Sequence, residues 1–183
     1  MKKCALVVGH KPSSAGACNQ TYRICEYEFN SNLIDSIRTS LVDAIDPDGG
    51  IEIIKVYRDT YRGLPFEINK LNPDFVVSFH CNAFNKKASG TETLYYRSSK
   101  RGEQIADIFQ NNMVRALGLP NRGIKPKGSE DRGGYLLRYT NAPAVLIEPI
   151  FIDNDNDFEQ FTMKRQRFIS AIQKSLFEAA DVV

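Results

Sequence analysis

Two histidines, His10 and His80, are the only imidazoles in the 183-residue chain, so chemistry that needs imidazole must use one or both of them. Each closes an apolar run: Cys4-Ala5-Leu6-Val7-Val8 leads through Gly9 to His10, and Phe75-Val76-Val77-Ser78-Phe79 leads to His80. Glu26 opens the amphipathic segment that follows the first run, with Glu28 competing for the same position in the same turn. If the two runs are neighbouring parallel strands, both imidazoles and the carboxylate face one crevice. Two His and one Glu form a ligand set for one catalytic Zn2+ per chain, with a fourth position left for water or substrate. A further acid, Glu148, ends the run Ala144-Val145-Leu146-Ile147. An acid at the end of a buried strand is costly unless it is paired or used. Above a metal it would be the general base.

Other readings of these residues exist. A lone strand-end histidine is more often a hydrogen-bonded structural residue than a ligand, and it is the ordered set of four that favours a metal. An acid near a helix N-terminus needs no function to be favoured there. Cys25, near a helix start, could be activated by His80 as a Cys-His nucleophile, but that pairing leaves His10 and Glu148 idle. Cys4, Cys18, Cys25 and Cys81 show no C-x-x-C spacing and read as reduced thiols. Strand alternation turns Cys81 away from the face of His80, towards packing.

The elements that must position these groups follow from periodicity and breakers. Phe29, Leu33, Ile37, Leu41 and Ala44 recur at helical spacing until Asp46-Pro47-Asp48-Gly49-Gly50 stops them. Strands are expected over 4–8, 51–57, 74–80 and 91–96, and short ones over 135–138 and 144–147. Helices are expected over 65–71 and 102–117, with a closing helix over 158–180. Residues 118–134, rich in Gly, Pro and charge, read as a long loop with at most a short strand near Ile124. The alternation implies an α/β single domain with a mostly parallel twisted sheet of about six strands and helices on both faces. Its site belongs at the C-terminal edge of the strands. Asn82, Arg122 and Lys125 sit on loops at that edge, as substrate contacts or as loop-stabilising and solvated residues. Tyr95 and Tyr96 offer an aromatic wall for a sugar or ordinary packing.

Composition narrows the classes. A net charge of +2, from 24 basic and 22 acidic residues, is no nucleic-acid footprint. The apolar run after Met1-Lys2-Lys3 stops at Gly9, short of a signal peptide. No later window reaches the roughly 18 apolar residues of a membrane span.

Seven stretches then occur in one order: Val8-Gly9-His10, Ser14-Ala15-Gly16-Ala17, Glu26-Tyr27-Glu28-Phe29-Asn30, Ser78-Phe79-His80-Cys81-Asn82-Ala83, Gly90-Thr91-Glu92, Asn121-Arg122-Gly123-Ile124-Lys125, and Pro143-Ala144-Val145-Leu146-Ile147-Glu148 with Asp153-Asn154. Together they resemble the zinc-dependent N-acetylmuramoyl-L-alanine amidases, particularly the catalytic domains of phage endolysins and bacterial autolysins. The resemblance implies hydrolysis of the amide between N-acetylmuramic acid and L-alanine in peptidoglycan. It makes His10, Glu26 and His80 the zinc ligands and Glu148 the catalytic acid/base, and the family's Glu four residues before Asn selects Glu26 with Asn30. The family's Asp-Pro-Gly-His-Gly stands here as Val-Val-Gly-His-Lys, which keeps the histidine and alters the loop around it. Residues 1–183 would then be one amidase catalytic domain without a separate wall-binding domain. The protein would be made in the cytoplasm and reach the wall by release or by a separate export factor, as a phage or prophage endolysin. An autolysin trimmed of its targeting region is the alternative. The expected partner is peptidoglycan, with no nucleic acid and no stable membrane insertion. A metal-free wall-binding module on the same fold is the reading from another functional class.

Overall fold

A computed structural model of the chain describes residues 1–43 and 50–183, so the stop expected at Asp46-Pro47-Asp48-Gly49 lies outside the described residues. Six strands form one sheet: β1 (Lys3–Val8), β4 (Glu52–Val56), β5 (Phe75–Phe79), β6 (Thr91–Tyr96), β7 (Asn121–Lys127) and β8 (Ala144–Glu148). Their spatial order is β4-β1-β5-β8-β6-β7. All neighbours are parallel except β6 and β8. A small antiparallel pair, β2 (Cys18–Asn19) and β3 (Ile24–Cys25), lies apart from it.

Alternation along the central strands divides the core. Cys4, Leu6, Val8, Phe75, Val77, Phe79, Val145 and Ile147 bury one face under α1 (Glu26–Asp43), α3 (Lys100–Leu117), α5 (Asp155–Met163) and α6 (Arg165–Ala180). Ala5, Val7, Val76, Leu94, Ala144 and Leu146 bury the other under two short helices, α2 (Leu64–Leu71) and α4 (Gly134–Tyr139). Helices therefore cover both faces, and none among the described residues is long and apolar enough to cross a membrane.

Three local expectations are corrected. Residues 135–138 belong to helix α4, where the adjacent Leu136 and Leu137 are both buried against the same sheet face. A strand would have turned one of them away. The expected loop over 118–134 holds the whole of β7, whose Pro126 is tolerated because β7 is an edge strand with one partner. The closing helix is two helices broken at Lys164, with Phe161 of α5 still 5.1 Å from Phe168 of α6. The cysteine expectation is corrected as well. Cys18 and Cys25 face each other across the β2–β3 ladder and form a disulfide, while Cys4 and Cys81 are free and buried.

Candidate active site

The two histidines come off adjacent parallel strands. Gly9 follows β1 and donates its N–H to the carbonyl of Phe79 at 2.9 Å, which locks the strand ends side by side. A Cβ at Gly9 would fall 2.3 Å from that oxygen and 2.8 Å from the His80 ring, so only glycine passes here. The chain then turns through a left-handed backbone at His10, with φ of 67°. Such a conformation costs about 1–3 kcal/mol and persists at functional sites where surrounding structure enforces it. Gly16, at φ of 82°, is the second required glycine, because a Cβ there would lie 2.7 Å from the His10 ring and 2.9 Å from Glu26 Cβ.

Glu26 is the first residue of α1, held by the disulfide-bonded hairpin immediately before it. Its N–H donates to the carbonyl of Ala17, while the N–H of Ala17 donates to its Oε1, both at 2.9 Å. The Cys81 N–H donates to Oε2 at 3.1 Å. The carboxylate is 1% exposed; burial alone would raise its pKa, but the two imidazoles close beside it outweigh that and hold it well below the usual carboxylate range. Burial pushes the His80 pKa down, favouring the neutral imidazole that a metal requires.

Glu26 Oε2 lies 3.1 Å from His10 Nε2 and 3.6 Å from His80 Nδ1, and the three donor atoms all lie within 4.8 Å of one another. His10 Nε2 is buried and has no aligned hydrogen-bond partner despite that short approach. Nitrogen and oxygen aimed past one another at a common point are what a shared cation would satisfy, so these residues fit a metal. Two imidazoles and a carboxylate suit zinc.

Across the cleft a different pair forms. The antiparallel β6–β8 register sets Glu92 directly opposite Glu148. Burial, a hydrogen bond to Glu92 and the charges of Glu92 and Glu26 push the Glu148 pKa up to about 8. Two adjoining carboxyl groups cannot both ionise easily, so the pair holds a proton. Glu92 is the ionised member, accepting from Asn82 Nδ2 at 2.8 Å and from Arg122 Nε at 2.9 Å. The loop leading to it is clamped by buried Asp157, which accepts from the Ser89 hydroxyl and from the N–H groups of Gly90 and Phe151.

His10, His80, Asn82, Glu92 and Glu148 line a cavity of about 290 Å³ on the α2/α4 side of the sheet, with apolar walls from Val7, Leu64, Leu94, Leu136 and Leu146. Of the three loop residues singled out by sequence, Asn82 lines it. Arg122 is engaged with Glu92 and sits 4.9 Å over the Phe151 ring, and Lys125 lies on β7 outside the cavity lining. Tyr95 is core, its hydroxyl donating to Glu103, and Tyr96 takes Arg138 over its ring. The Cys25–His80 nucleophile is overturned, because the Cys25 sulfur is bonded to Cys18. Sequence reasoning assigned no role to Glu92, Arg58, Lys127 or Arg132, all of which line the cavity. Glu92 had a signal in Gly90-Thr91-Glu92, but its meaning depended on a strand direction that sequence alone did not provide.

The fold and this cleft define an α/β domain with a candidate metal cluster and a proton-holding carboxyl pair at the strand ends. The chain belongs to the N-acetylmuramoyl-L-alanine amidase family, which matches residues 4–179. It is 27% identical over 156 residues to the N-acetylmuramoyl-L-alanine amidase LytC of Bacillus subtilis (strain 168), covering 81% of this chain and 29% of that protein. The chain thus spans under a third of that relative's length. Among solved structures, the catalytic domain of CwlV, an amidase from Bacillus (Paenibacillus) polymyxa var. colistinus, is 25% identical with a TM-score of 0.82, covering 100% of both chains. The N-acetylmuramoyl-L-alanine amidase from Clostridium difficile 630 shares the fold, at 20% identity and a TM-score of 0.85, covering 98% of this chain and 97% of that one.

Proposed function

We propose that this chain is a zinc-dependent hydrolase that cleaves the amide between N-acetylmuramic acid and L-alanine in peptidoglycan. The observation that carries the reading is the convergence of His10, Glu26 and His80 donor atoms within 4.8 Å in the cleft that Glu148 also lines. Family membership supplies the substrate class. A Zn2+ ion held by those three residues would polarise the scissile carbonyl and lower the pKa of water beside it.

The chain's own residues do the rest. Glu26 stays anionic and fixed by two backbone N–H donors, so the ligand geometry exists before substrate arrives. Glu148 accepts the proton of the attacking water and returns it to the leaving amine. A pKa of about 8 suits a group that must both take and give a proton near neutrality. Glu92, pinned by Asn82 and Arg122, holds Glu148 in place and tunes that proton affinity. The apolar walls limit water around the reacting bond.

Digestion of purified walls with and without a chelator tests the reading. Free L-alanine amino termini without new reducing sugars, lost on chelation and restored by Zn2+, are the expected result. New reducing ends would instead mark a glycosidase. Substoichiometric zinc together with wall binding that survives His80→Ala would mark a binding module. The lytic role is part of the same proposal, and clearing of turbid wall suspensions by the protein alone checks it.

A further inference from the structure

The cleft lined by Glu92 and Glu148 also carries three cations: Arg58 after β4, Lys127 at the end of β7 and Arg132 just before α4. They come from three separate elements yet line one cavity. Elsewhere the chain pairs cations of these same regions: Lys55 with Asp35, Arg97 with Glu130 and Arg122 with Glu92. No described residue forms an ion pair with Arg58, Lys127 or Arg132, or accepts a hydrogen bond from their side chains. The carboxylates of the cleft do not use them either. Glu26 is satisfied by backbone N–H groups, and Glu92 by Asn82 and Arg122. Arg58 and Lys127 are also half-buried, so they cannot simply extend into water as a surface lysine does. Positive groups confined around a low-dielectric cavity focus its field on an incoming anion.

We propose that Arg58, Lys127 and Arg132 form a carboxylate clamp for the stem peptide of the substrate. The inference rests on the amidase reading above and deepens it. In that reaction the residue after L-alanine is D-glutamate linked through its side chain, so its α-carboxylate hangs free two residues from the scissile amide. The same position occupied by D-isoglutamine carries a neutral carboxamide of nearly the same shape. Guanidinium and ammonium groups tell these apart by charge, and Arg adds a planar fork that matches a carboxylate. Arg58 and Arg132 line the same cavity as His80 and Glu148, which places both guanidinium groups beside the reacting centre.

The test uses two defined disaccharide-peptide substrates that differ only in carboxylate or carboxamide at that position. The unsubstituted protein should cleave the carboxylate form with a kcat/KM about 10- to 100-fold higher, the range of a charge-assisted contact. Most of the difference should lie in KM and shrink with added salt. Lys127→Gln combined with Arg132→Gln should bring the ratio close to one, and Arg58→Gln should move it the same way. Equal cleavage of both substrates by the unsubstituted protein overturns the clamp while leaving the amidase reading intact. So does an equal loss of kcat on both substrates in the variants, which would make the cations stabilisers of the transition state. Failure to cleave either substrate overturns the amidase reading itself, and the clamp with it.

Discussion

Glu26 and Glu148 are the same residue type, both shielded at one sheet edge, yet their surroundings displace them in opposite directions. Glu26 sits at a helix start, where two backbone N–H groups and two imidazoles address its oxygens, and it stays charged. Glu148 ends a strand, faces another carboxyl group across an antiparallel pair and keeps its proton until about pH 8. The difference shows how one sheet edge can hold both a fixed negative charge and a mobile proton. The parallel half (β1, β5) gives loops whose ends converge on a common point. The antiparallel half (β8, β6) sets like residues opposite each other. Environment, not residue type, assigns the role.

The largest break of this contrast is Glu26→Ala. It removes one of three candidate ligands and leaves the N–H groups of Ala17 and Cys81 without their acceptor. Bound zinc measured by metal analysis should fall to trace levels and wall digestion should become undetectable. Denaturant unfolding should show a loss of about 3–5 kcal/mol, the cost of breaking a buried charged network. The depressed pKa also fixes the acid behaviour. Glu26 contributes stability above the ordinary carboxylate pKa, and that contribution drains away as pH falls below it towards the lowered folded value.

Glu148→Gln should separate chemistry from binding. Turnover should fall about 10²- to 10⁴-fold, the span of a lost general acid/base, with zinc content unchanged. Its stability profile has the opposite sign to that of Glu26. The folded protein binds a proton that the unfolded chain gives up near 4.5, so the native protein loses stability as pH rises from there to about 8. The glutamine variant lacks that slope and should be the more stable protein near pH 9, with little difference near pH 5. The same stability difference between the two proteins at both pH values, measured by urea unfolding, would show that Glu148 titrates normally. Glu92→Gln sharpens the point: with its charged neighbour gone, the Glu148 pKa should drop and the acidic limb of the pH–rate curve should move to lower pH by several tenths of a unit or more.

Much of the parallel half was legible in sequence, because continuous apolar runs ending in His10 and His80 announce strands buried on both faces. Gly9 and Gly16 belong to the motifs that carry the family resemblance, though the reason for them lies in the rings they make room for. The antiparallel half was less legible. A strand's direction leaves no mark on its own residues, so nothing in Thr91-Glu92-Thr93 said that Glu92 would oppose Glu148. Arg122, Lys125, Lys127 and Arg132 sit in a stretch whose glycines and prolines read as loop, and which of them reach the cavity depends on the register of an edge strand. Cys18 and Cys25 were misjudged for a related reason. Their separation of seven residues suits a hairpin, but hairpins this short carry too little apolar alternation to be seen.

That disulfide gives the smallest of the expected effects and the most local test of the contrast. It closes the hairpin whose last residue adjoins Glu26, and none of the hairpin's residues lines the cavity that holds Glu92 and Glu148. Replacing both Cys18 and Cys25 by Ser removes a cross-link over a short loop, which should lower stability by about 2 kcal/mol through restored freedom in the unfolded chain. The hydrogen bonds between Ala17 and Glu26 remain, so zinc affinity, read by competition with a coloured chelator, should weaken by only a few-fold. The pH–rate profile should not move, because nothing around Glu148 has changed. A shift in that profile would mean that the two halves of the cleft are coupled through α1. An unchanged profile with weakened zinc would show that ligand and proton carrier are built independently on one sheet edge.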